Sequence, residues 1–82
     1  MIVFVHYHAL LRDKTGRTNE SFDLPGSQPT LRDLLNAFFA RYPGLRKLET
    51  SIRAAVHDEF VESGDALNEG DRVDLLPPFG GG

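Results

Sequence analysis

The sequence predicts an α+β domain, a mixed sheet of five strands packed on one main helix in the order ββαβββ. Three observations predict it. An alternating apolar run opens the chain, one amphipathic stripe fills its middle, and short apolar runs separated by turn residues fill its second half. One helix covers one sheet face and leaves the other open. A chain of 82 residues makes one domain, whose folding buries roughly 60–65% of the surface of the unfolded chain.

The elements follow in order. Residues 2–8 read as a strand, with Val3, Val5 and Tyr7 on one face and Ile2, Phe4, His6 and His8 on the other. Both faces are partly apolar, which predicts a central strand. Residues 12–17 are polar around Gly16 and predict a hairpin turn. The second strand is residues 20–24, with Phe22 and Leu24 sharing a face. After the loop Pro25-Gly26-Ser27-Gln28-Pro29, Thr30 reads as a helix N-cap. Asp33, three residues on, is the short form of the capping-box acid. Leu31, Leu34, Leu35, Phe38, Phe39 and Tyr42 form one helical stripe, which Pro43-Gly44 stops. Residues 45–48 connect to a strand at residues 52–56, and His57-Asp58 turns it into a short partner at Phe60-Val61. Leu67 leads into a loop over residues 68–71. The last strand, residues 73–76, places Val73 and Leu75 on one face and Asp74 and Leu76 on the other.

Composition excludes several functions. A net charge of −3 leaves no electrostatic footprint for nucleic acid or an anionic membrane. The absence of cysteine excludes disulfides, thiolate zinc sites and a cysteine nucleophile. The apolar opening run is interrupted by His6 and Arg12, so no signal peptide or membrane span is expected, and the cytoplasm is the default location. His6 and His8 have a spacing that suits metal, but no third ligand accompanies them, and no metal is expected there. Asp58, Glu59, Glu62 and Asp65 read as a solvated acidic face around loops.

The last six residues, Pro77-Pro78-Phe79-Gly80-Gly81-Gly82, are unlike the rest. The prolines forbid further sheet pairing. The three glycines carry no side chain, and the whole segment reaches at most about 20 Å when extended. Such a tail fits a channel too narrow for any Cβ and delivers a terminal carboxylate at its far end. On its own the tail is a weak signal.

With the rest of the chain it is a specific one. Ala9-Leu10-Leu11-Arg12-Asp13 closes the first strand, Thr30-Leu31-Arg32-Asp33-Leu34-Leu35 opens the helix and Tyr42-Pro43 ends it. Ile52-Arg53-Ala54-Ala55-Val56, Phe60-Val61, Leu67-Asn68-Glu69-Gly70-Asp71-Arg72-Val73 and Leu76-Pro77-Pro78-Phe79 follow, before Gly81-Gly82. Over nearly its whole length the chain resembles the small-subunit (MoaD) family of molybdopterin synthase, β-grasp (ubiquitin-like) sulfur carriers of the MoaD/ThiS type that are related to ubiquitin and to the thiamin sulfur carrier. It departs from the family's pattern at His57, where asparagine is usual, and at Gly80, where another small residue is common.

The resemblance implies a β-grasp domain over residues 1–76 and a flexible tail over residues 77–82. An E1-like adenylating enzyme, using ATP and magnesium, would convert the Gly82 carboxylate to an acyl-adenylate. A sulfur donor would then leave a thiocarboxylate there. Gly80 and Gly81 would thread the tail into the large synthase subunit, where the sulfur passes to a pterin precursor. The chain would bind no cofactor of its own and would not be an enzyme alone. If Val3, Val5, Tyr7, Val73 and Leu75 face the helix, then Phe4, His6, His8 and Leu76 line the uncovered face. With Pro77 and Phe79 they would form a partner-binding surface continuous with the tail. Other functions fit the same residues: a sulfur carrier for thiamin, cysteine or tRNA thiolation, a ubiquitin-like protein modifier, or a non-covalent interaction module.

Overall fold

The computed structural model describes residues 1–77. Its strands are β1 (Ile2–Tyr7), β2 (Asn19–Asp23), β3 (Arg53–Val56), β4 (Glu59–Val61) and β5 (Arg72–Leu76). Two helices, α1 (Leu10–Thr15) and α2 (Leu31–Arg41), and a 3-10 helix at Pro43–Leu48 complete it. The sheet order is β2-β1-β5-β3-β4, with β1 and β5 parallel and the other pairs antiparallel. The sheet and its main helix follow the expected β-grasp order, with strand ends shifted by a residue.

The helical face of the sheet holds the core. Val3, Val5 and Tyr7 of β1, Phe22 of β2, Ala54 of β3 and Val73 and Leu75 of β5 are buried. Against them lie Leu31, Leu34, Phe38 and Phe39 of α2, with Leu24, Leu45 and Leu67 filling the margins. At about 1.5–3 kcal/mol per fully buried apolar side chain, this layer is the main source of stability. α2 starts where the capping box predicts. Asp33 N–H donates to Thr30 Oγ1 at 3.4 Å, and Thr30 N–H donates to Asp33 Oδ2 at 2.9 Å. At the other end Tyr42 caps the helix, its N–H donating to Phe38 O at 2.8 Å.

Two connections correct the sequence reading. Residues 9–13 do not close the first strand and residues 12–17 are not a simple turn, because β1 ends at Tyr7 and α1 follows. The cause is Leu11. One helical turn swings it fully into the core, and Gly16 in the left-handed region (φ 74°) ends the helix, donating to Arg12 O at 3.0 Å. Likewise residues 45–48 belong to the 3-10 helix that Pro43 begins, which buries Leu45. Among the described residues no helix is long and apolar enough to cross a membrane. α2 has 11 residues, against about 20 for a span.

The β3–β4 turn is a two-residue loop, since Val56 pairs with Glu59. His57 (φ 53°) and Asp58 (φ 64°) both take the left-handed conformation, the type I′ arrangement that favours asparagine and glycine. A histidine there is strained. His57→Asn is therefore expected to stabilise the domain by about 0.5–1 kcal/mol, read as a raised urea midpoint at unchanged slope. The variant gives up the 3.9 Å approach of His57 to Asp71. His57 is 84% exposed, and such surface pairs contribute little.

Candidate functional site

Period-2 alternation sends one set of strand side chains away from α2. In β1 these are Ile2, Phe4 and His6, and His8 just beyond the strand continues the series. In β5 they are Arg72, Asp74 and Leu76. Register brings the rows together. Phe4 lies opposite Arg72, His6 opposite Asp74, Ala55 opposite both Asp74 and Phe60, and Arg53 opposite Leu76. The result is an open face where Phe4 is 46% and Phe60 66% exposed. His6, His8 and Leu76 are half-buried. Two exposed phenylalanines on one small sheet are a costly surface unless something covers them.

The structure thus places Phe4, His6, His8 and Leu76 together on the uncovered face, as the alternation predicts. It overturns the same assignment for Pro77, which is buried. The alternation that turns Leu76 outward turns Val73 and Leu75 into the core, and Pro77, next in that series, is buried as well. Phe79, Gly80, Gly81 and Gly82 lie outside the described residues. Phe60 was missed, although its place was readable. A two-residue turn at His57-Asp58 pairs Phe60 with Ala55, whose neighbour Ala54 faces the core.

A polar group sits within this apolar face. Asp74 Oδ1 lies 2.8 Å from His8 Nε2, and accepts from Arg72 Nε at 3.2 Å and Nη2 at 3.1 Å. Burial alone would raise the Asp74 carboxyl, but the His8 and Arg72 hydrogen bonds outweigh it and hold it below the usual aspartate value. Beside it is a surface cavity of about 370 Å³, walled by Ala55, Phe60 and Leu76 and edged by Asp58. Among the described residues no group of three His, Asp or Glu side chains is placed to hold a metal ion.

A second titratable cluster lies on the helical side, near the C-terminal ends of β1 and α2. The Glu20 side chain is 8% exposed. Its Oε1 accepts from the Tyr7 hydroxyl and, at 2.7 Å, from the Tyr42 hydroxyl. Its Oε2 accepts from Arg41 Nη1 at 3.1 Å and lies 3.6 Å from Arg17 Nε. Burial pushes the Glu20 carboxyl up, and the three hydrogen bonds overcome it, so the group stays ionised below its ordinary range. The same burial and the adjacent carboxylate push the Tyr7 phenol far above its usual value. With both carboxylate oxygens engaged, Glu20 ties the structure together and is not a proton acceptor for a substrate.

Comparison with known proteins gives consistent results. A model described as the ThiS family matches residues 5–82. The molybdopterin synthase sulfur carrier subunit of Homo sapiens is 35% identical over 83 residues, covering 98% of this chain and 93% of the human one. The subunit of the same name from Chlamydomonas reinhardtii is 33% identical over 84 residues and is covered, like this chain, in full (100%). The crystal structure of SAMP1 from Haloferax volcanii shares the fold, with a TM-score of 0.84 at 24% identity and 100% of both chains covered.

Proposed function

This chain belongs to the ThiS family and is a sulfur carrier of the molybdopterin synthase type; we propose that the sulfur travels as a thiocarboxylate on Gly82. As a subunit, it works with a larger synthase subunit that supplies the catalytic groups. The observation that carries the reading is the position of the open face. β5 contributes Asp74 and Leu76 to that face and is the strand from which residues 77–82 follow. A partner seated on the face therefore lies beside the start of the tail.

The chemistry follows from the carboxylate. Resonance spreads its charge over both oxygens and leaves no leaving group. In the proposed cycle an E1-like enzyme with ATP and magnesium lets a Gly82 oxygen attack the α-phosphorus, and pyrophosphate leaves. A persulfide donor then attacks the acyl carbon and expels AMP. A thiol opens the resulting disulfide and frees the thiocarboxylate. Side-chain-free residues at Gly80 and Gly81 let this end enter a narrow channel in the large subunit. Positioning supplies the advantage, since a held nucleophile reacts at a high effective concentration. ATP and magnesium belong to the activating enzyme, and residues 1–76 act as the handle for the tail.

Intact mass after incubation with the activating enzyme, ATP, magnesium and a sulfur donor tests this. One oxygen replaced by one sulfur, localised to the C-terminal peptide, is the expected result. An unchanged mass overturns the reading, and isopeptide-linked adducts on lysines of other proteins would make the chain a modifier instead.

A further inference from the structure

Asp74 is the acidic residue at the centre of the open face, paired there with Arg72 and His8 among the apolar side chains of Phe4, Ala55, Phe60 and Leu76. Its carboxylate lies between His6 of β1 and Ala55 of β3, with Phe4, Phe60 and Leu76 around it on the same face. All three of its hydrogen bonds, from His8 and Arg72, converge on Oδ1. Among the described residues none uses Oδ2. The side chain is only 21% exposed, so a covering partner would strip the remaining water from Oδ2. A carboxylate oxygen desolvated without a donor is strongly penalised.

We propose that Asp74 is the specificity-determining residue of the open face, selecting a protein partner that inserts a lysine or arginine side chain into the adjoining cavity. The inference rests on the reading that this face docks the large synthase subunit. The cavity fits that occupant. Its apolar wall of Ala55, Phe60 and Leu76 covers an aliphatic stem, while Asp74 and Asp58 flank the place for a cationic head. With histidine counted neutral, these carboxylates outnumber the single guanidinium, Arg72, two to one. A partner offering only apolar surface would leave Oδ2 unpaired and be rejected, which is discrimination by an unmet donor requirement. A hydroxyl or amide donor would satisfy Oδ2 but leave the second carboxylate uncompensated.

The test is calorimetric titration of the full chain with the large subunit of its own organism, at low and high salt. Asp74→Leu is expected to weaken binding roughly 10- to 100-fold. Asp58→Asn keeps a residue suited to the left-handed turn and is expected to weaken binding a few-fold and flatten its salt dependence. Equal or tighter binding by Asp74→Leu overturns the proposal, because an apolar or anionic occupant gains when the carboxylate is removed. Should Asp74→Leu fail to fold, Asp58→Asn decides alone, and an unchanged affinity and salt slope overturns it. Phe4→Glu and Phe60→Glu separate the two levels. If they weaken docking while the aspartate variants do not, only the Asp74 assignment fails. If they too leave affinity unchanged, the docking face itself is wrong.

Discussion

Deleting Gly81 and Gly82 is expected to abolish sulfur transfer while leaving the thermal midpoint within about 2 °C of the parent. The two halves of this expectation have separate causes. Among the described residues the apolar core runs from Val3 to Leu75, with Pro77 also buried, and a glycine has no side chain to bury, so little stability is expected to depend on the last two residues. The shortened chain still ends in a glycine carboxylate, Gly80, and its intrinsic reactivity toward adenylation is unchanged. Reach is what is lost. Two extended residues span about 7 Å, whereas misplacing a reacting group by about 1 Å already costs on the order of a hundredfold. Single-turnover assays with the large subunit, beside a thermal melt, check both halves. Retained transfer by the truncated chain would refute Gly82 as the sulfur-bearing residue. Gly81→Val provides a graded version, since it keeps the length and adds bulk where the tail must pass. Its transfer rate should fall while docking affinity, which we assign to the open face, stays unchanged.

Local patterns made much of this molecule legible in the sequence, and the unread parts needed distant residues. Alternation in β1 located both the core face and the open face, because a period of two leaves no third option. The Thr30–Asp33 capping box marked the start of α2 for a reason confined to four residues. α1 was not legible. It is six residues long with no side-chain cap, and Ala9 enters it at a positive φ of 49°. Only the core's demand for Leu11 explains it. Pro77 was misplaced because its type suggested a tail residue, although parity with Val73 and Leu75 already pointed inward. Phe60 and Asp74 stood in correctly read strands, but their joint meaning depends on β5 lying between β1 and β3. That strand order arises from pairings dozens of residues apart. Glu20 was read only as the start of a strand, since its partners Tyr7 and Tyr42 lie 13 and 22 residues away.

That carboxylate carries the largest expected effect on stability. Glu20→Ala leaves the Tyr7 and Tyr42 hydroxyls without their acceptor and is expected to cost about 3 kcal/mol, the sum of two hydrogen bonds to a charged group. Arg41 contributes less, because its side chain is 46% exposed and such pairs are screened. Its guanidinium also stacks 4.1 Å from the centre of the Phe22 ring, a contact that survives the loss of Glu20. Glu20→Gln keeps an acceptor for the phenols and should cost about half as much. Cycles pairing it with Tyr7→Phe and Tyr42→Phe should be non-additive, since both phenols share one oxygen. The pH dependence has a definite sign. Folding holds the Glu20 carboxyl below its ordinary value of 4.5, so the unfolded chain takes up the proton first as pH falls. The stabilisation is fully present above that ordinary value and is lost as pH drops through the lower folded one. Asp74, also held below its ordinary 3.8, adds a loss in the same direction. At the alkaline end Tyr7 behaves oppositely. Its phenol is raised far above the ordinary 10.0, so stability declines once the pH passes that ordinary value. Urea titrations from neutral pH into acid should therefore show the gap between parent and Glu20→Gln constant near neutrality and closing below about pH 4.5. A gap that stayed constant into strong acid would mean that the Glu20 charge contributes nothing to the fold.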